Sequence, residues 1–192
     1  MSVHWSDPRG EVMAVIGMAA IVLLVTASVM AQESSPVTPV EQVDLSRYCG
    51  TWYEIARLPN RFQRQCACST SAEYSLLPNG TIRVVNRCRK ADGSLAVAEG
   101  IARKDDPNGS NAKLKVRFAP SWLNWLPFVW GTYWIIDLAP DYSYAVVGEP
   151  SRKYLWILSR SREMEPSVYE EILGRLKSMG YRTDELISAE HK

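Results

Sequence analysis

Where the histidines stand limits the chemistry open to this chain of 192 residues. There are two, His4 and His191, at opposite extremes. Ser/His/Asp and Cys/His catalysis need an imidazole positioned inside the fold, and His-based zinc sites need the same. Four cysteines remain: Cys49, Cys66, Cys68 and Cys88. Cys66 and Cys68 alone are an incomplete ligand set, so no metal is implied. No pair of carboxylates has an evident acid/base task. Catalysis would have to run through Cys68, Tyr133, Tyr144, Glu54 or an added cofactor. The reading is therefore a protein that is not an enzyme and that needs no cofactor. The net charge of +1 gives no reason to expect nucleic acid as a partner. Seven Trp and nine Tyr against three Phe suit a pocket or an interface, where one end of a ring is apolar and the other wet.

The elements that would position these residues are short. Strand-like segments at 50–57, 71–76, 81–87, 95–103, 113–118, 132–137, 144–148 and 154–159 alternate with turn signals such as Pro78-Asn79-Gly80 and Asp92-Gly93. This spacing predicts an antiparallel meander, hence a barrel or a sandwich. One helix closes the chain. It opens on Pro166, stops at Gly180, and places Val168, Ile172, Leu173, Leu176 and Met179 on one face. Residues 12–31 are apolar and uncharged, which predicts a signal peptide cleaved after Ala31 or, alternatively, a membrane anchor. No cysteine directly follows that run, so an acylated N-terminus is not supported. The domains are then 1–31 as signal or anchor, 32–42 as linker and 43–192 as the folded unit. The chain reads as exported, periplasmic if the cell has two membranes.

Gly50-Thr51-Trp52-Tyr53 opens the first strand, Asp141-Tyr142-Ser143 sits in a turn between two strands, and Ser159-Arg160 ends the last. Together these resemble the three motifs of the lipocalin family. GTWYEIARLPNRFQ, YSLLPNG and YLWILSR are similar to the bacterial lipocalins in particular, and the resemblance covers 43–187. It implies an all-β fold, an eight-stranded antiparallel up-and-down barrel with one C-terminal α-helix packed outside. Gly50, Trp52, Asp141, Tyr142 and Arg160 then form the structural motif, with Arg160 over the indole of Trp52 at the closed end.

Side chains alternate along a strand, so one anchor orients the rest. With Trp52 and Arg160 inward, so are Glu54 and Ala56, and Leu158, Trp156 and Tyr154. The resemblance adds Ala72, Tyr74, Val84, Asn86, Ala98, Val116, Phe118, Tyr133, Ile135, Ala145 and Val147. This lining is apolar, partly small, and includes no cation for a ligand head group. The resemblance implies a fatty acid or (lyso)phospholipid as ligand, bound and carried or stored. Residues 119–131 hold Trp122, Trp125, Phe128 and Trp130 at the open end, expected as a lid over the cavity or a lip on a membrane surface. An aromatic lip binding a protein is the alternative. In an exported protein a disulfide is expected. The plain hairpin register puts Cys88 near Thr70, with Cys66 and Cys68 both close by and Cys68 favoured, whereas the resembled sequences favour Cys66 with Cys88, the pairing adopted here. Cys49 is left free or linking two chains as a homodimer.

Overall fold

The computed structural model describes Met1 and residues 35–119 and 129–192. Eight strands follow one another: β1 Gly50–Arg57, β2 Cys68–Leu76, β3 Ile82–Arg89, β4 Leu95–Lys104, β5 Lys113–Arg117, β6 Gly131–Leu138, β7 Tyr144–Gly148 and β8 Leu155–Ser159. Each pairs antiparallel with the next, and β1 pairs with both β2 and β8. The sheet thus closes into the expected up-and-down barrel and leaves β1 no free side. Short polar side chains seed the turns: Asn79, Asp92 and Asp106 each accept a hydrogen bond from the backbone N–H two residues on.

Helix α2, Pro166–Ser178, packs on the outside. It buries Ile172 and Leu176 with Ile136, Val146, Leu155 and Ile157, which point outward from β6, β7 and β8. A second apolar cluster fills part of the barrel interior and includes Trp52, Tyr74, Val84, Leu114, Tyr133, Ile135 and Leu158.

Three features depart from expectation. A short helix α1, Leu45–Tyr48, precedes β1 and covers the closed end, capped by Asp44. Its Tyr48 is buried in the interior cluster together with Val43. The stretch expected as a linker does not run free over its described part. Val37 is buried in the outer cluster, Val40 packs on the interior one, and Ser35 donates to the Ser178 carbonyl. Nor does the chain end on its helix. A two-residue strand β9, Ile187–Ser188, pairs with the second half of β1, at Ala56 and Arg57. Pairing of β1 with β2 stops at Tyr53, and the tail fills the gap beyond: Ala189 donates to the Ile55 carbonyl and Ser69 to that of Glu190.

The expected signal or anchor at 1–31 lies outside the described residues save Met1. Among the described residues no helix is long and apolar enough to cross a membrane.

Candidate functional site

Strand register assigns the interior face row by row. Trp52 stands opposite Ala72, Ala72 opposite Asn86, and Asn86 opposite Ala98. One row nearer the closed end come Gly50, Tyr74, Val84 and Gly100. Ile82, Ala102, Val116 and Gly131 form another, which runs obliquely because barrel strands tilt, so that Val116 and Gly131 come toward the distal end, and Leu114 faces Tyr133. Ile135 opposite Val147, Ala145 opposite Leu158, and Val147 opposite Trp156 complete the circuit.

The two ends of this interior differ. Toward the closed end Tyr74, Val84, Ala102, Leu114, Ile135, Ala145 and Leu158 are all buried. Their packing is tied by three phenols. Tyr133 shares hydrogen bonds with Tyr48 at 2.8 Å and Tyr74 at 2.9 Å. Burial pushes all three phenols well above the ordinary value, Tyr74 to about 12. Toward the distal end Ala72, Asn86, Val116 and Trp156 are only half-buried, and Ala98 is exposed although its row faces inward. The interior is thus less tightly covered toward the distal end than toward the closed one.

The motif residues lock the closed end. Arg160 lies 3.8 Å over the Trp52 ring and donates to the carbonyls of Arg47, Tyr48, Cys49 and Thr51. Gly50 has φ +97°, and a Cβ there would come within 3.2 Å of the Arg160 guanidinium, so the glycine of the first motif makes room for the arginine of the last. Asp141 accepts from the Ser143 N–H at 3.0 Å, Tyr142 accepts from the Asp44 N–H, and the Arg47 guanidinium rests 4.0 Å from the Tyr142 ring centre.

Several expected lining residues are placed elsewhere. Ala56 faces the helix layer, not the interior. A bulge between Glu54 and Ala56 shifts β1 against β8: Glu54 stands opposite Leu158, but Ala56 stands opposite Ile157 and Arg57 opposite Trp156. The extra residue reverses the alternation, turning Ala56 out and Arg57 in. Phe118, one residue past β5, is not among the displaced residues: its ring lies over the inward face of Gly100 as expected, though it is 43% exposed. Trp130 is on the outer wall, not the lip, with the guanidinium groups of Arg103 and Arg117 at 4.2 Å and 5.2 Å from its ring. Its neighbour Gly131 takes the inward position opposite Val116, which turns Trp130 outward. Trp122, Trp125 and Phe128 lie outside the described residues. Tyr154 stacks on Trp156 at 6.1 Å and meets Phe62 at 5.6 Å, at the distal mouth.

The bulge also creates a polar cluster that sequence alternation missed. Glu54 is 2% exposed and accepts from Arg57 at 2.7 Å. Gln63, carried inward by a 3-10 turn at Arg61–Gln63, donates to Glu54 and accepts from the Trp156 indole at 2.7 Å and from Asn60 at 2.8 Å. Over this cluster His191 donates to the Glu54 carbonyl at 2.7 Å. Burial pushes the Glu54 carboxyl up, against the opposing pull of Arg57, Gln63 and His191.

The disulfide joins Cys66 to Cys88, while Cys49 and Cys68 are free thiols. The plain register fails because Ser69 adopts φ +53° and β2 is irregular between Cys68 and Ser71, which sets Cys68 opposite Arg89.

Known proteins place this architecture. Residues 43–191 match the family described as the lipocalin-like domain. Temperature-induced lipocalin-1 of Arabidopsis thaliana is 42% identical over 155 residues, covering 80% of this chain and 82% of that protein. The outer membrane lipoprotein Blc of Citrobacter freundii is 35% identical over 179 residues, 92% and 96% of the two chains. Among solved structures, insecticyanin from the tobacco hornworm Manduca sexta superposes with a TM-score of 0.63 at 25% identity, covering 83% of this chain and 86% of that one.

Proposed function

The chain belongs to the lipocalin family, whose members bind small hydrophobic ligands, and from that premise we propose that it binds and carries or stores a fatty acid or a (lyso)phospholipid in the distal half of its barrel. One observation carries this reading: interior-facing residues stay accessible in the distal half while those of the closed half are packed. Ala72, Asn86, Ala98, Val116, Tyr154 and Trp156 are the lining nearest the ligand. No catalytic role is assigned to any of them. Ligand displacement tests the reading. A fluorescent fatty acid is expected to bind with a change in Trp emission and to be displaced by unlabelled lipid. No binding at all defeats it.

The distal mouth also supports a membrane contact. Phe62, Leu95 and Val97 are each more than half exposed there; Trp122, Trp125 and Phe128 belong by sequence to the connection between β5 and β6 and lie outside the described residues. Apolar groups gathered at one rim suit a bilayer interface. Replacing Trp122 and Trp125 by Ser is expected to reduce flotation with liposomes. Unchanged flotation would sink the contact, and capture of a single protein partner instead would favour an interaction module. Export fits the apolar 12–31 run and the outer-membrane lipoproteins among the relatives. In this reading residues 1–31 are the signal or anchor.

A further inference from the structure

We propose that Arg57 receives the carboxylate head of a long-chain acid whose chain occupies the distal half of the barrel; the proposal rests on the lipid-carrier reading above. Simple strand alternation points Arg57 outward. The β1 bulge turns it in instead, opposite Trp156, and leaves its side chain 11% exposed. Its neighbours are then the half-buried interior groups Trp156 and Gln63, toward the distal end of the barrel. Glu54 engages the guanidinium through one nitrogen, Nη1. A guanidinium presents five donors in a planar fork, so an edge remains that matches the two oxygens of a carboxylate. Charge narrows the choice of ligand. Glu54 already balances the guanidinium charge, so each added negative charge is opposed by it; a carboxylate brings one and must be held through the free edge of the fork, whereas a dianionic phosphate monoester brings two and is opposed more strongly. Gln63 has a supporting role. It fixes Glu54 on one side and the Trp156 indole on the other, which holds the cluster in place when the ligand enters.

The test compares two probes of equal chain length, hexadecanoate and hexadecanol, on the full chain at mildly alkaline pH, read by Trp emission. Wild type is expected to hold the acid about tenfold or more tighter than the alcohol, the scale of a hydrogen bond to a charged group. Arg57→Gln is expected to bring the acid down to the level of the alcohol while leaving the alcohol unchanged. Glu54→Gln releases Arg57 from its partner and is expected to widen the preference for the acid. If Arg57→Gln weakens both probes by the same factor, or neither, the proposal is wrong. Should that variant fail to fold by circular dichroism, the wild-type ratio and Glu54→Gln still decide: equal affinity for acid and alcohol overturns the head-group site alone. Failure of wild type to bind either probe overturns the carrier reading as well.

Discussion

At the scale of single residues, the closed end is held by groups whose replacement has a definite sign. Tyr133 is the middle of a buried chain of three hydroxyls. Tyr133→Phe leaves the Tyr48 and Tyr74 hydroxyls short of a partner, and is expected to cost about 1–3 kcal/mol in urea unfolding. The same phenols set an alkaline limit. Burial raises Tyr74 from an ordinary 10.0 to about 12, so above pH 10 the unfolded chain sheds a proton that the folded chain keeps. This share of stability is intact below that pH and is lost as pH rises through the folded value. The unfolding midpoint is expected to fall between pH 10 and 12, less steeply in Tyr74→Phe. Arg160 is a second such residue. Its four carbonyl acceptors and the Trp52 face all need a planar fork. Arg160→Lys is therefore expected to lose about 1–3 kcal/mol in spite of keeping its charge.

At the scale of elements, the Cys66–Cys88 bridge ties the β1–β2 connection to β3 across 22 residues. Replacing both by Ser is expected to lower stability by about 2–4 kcal/mol. Alkylation of the unfolded, unreduced chain should label two thiols, Cys49 and Cys68, and four after reduction. How much of this was legible beforehand depends on register. β1 and β7 have the boundaries that alternation and turn residues predict, and the hairpin through Asn79 pairs Tyr74 with Val84 as expected. These are local patterns, and period two reports them. The bulge at Ile55 has no such signature. It answers to how β1 must meet β8 on one side and the C-terminal tail on the other, contacts far away in sequence. Alternation alone therefore puts Ala56 in the wrong layer. Trp130 was misplaced for a related reason: an apolar run in a connection says that its rings are covered, but not on which side of the wall.

At the scale of the whole molecule, the barrel is two interiors in one wall. α1 covers the closed end, and the rows above it are filled by Trp52, Tyr74 and Tyr133. From the row of Ala72, Asn86 and Ala98 outward the inward side chains are only partly covered. The same substitution should therefore have opposite consequences at the two ends. Ala145 is fully buried among packed neighbours, and Phe in its place must displace them. Overpacking of that kind costs about 1–3 kcal/mol or more. Ala72 is only half-buried and Ala98 exposed, so Phe there meets less resistance and, in the carrier reading, takes up room that an acyl chain would need. Ala98→Phe and Ala72→Phe are expected to keep the wild-type unfolding midpoint while weakening binding of a fluorescent fatty acid. Ala145→Phe is expected to lower the midpoint and, in the fraction that folds, to bind normally. If instead all three variants lost stability together with no selective loss of binding, the distal half would be core like the rest, and the barrel would have no room for a ligand.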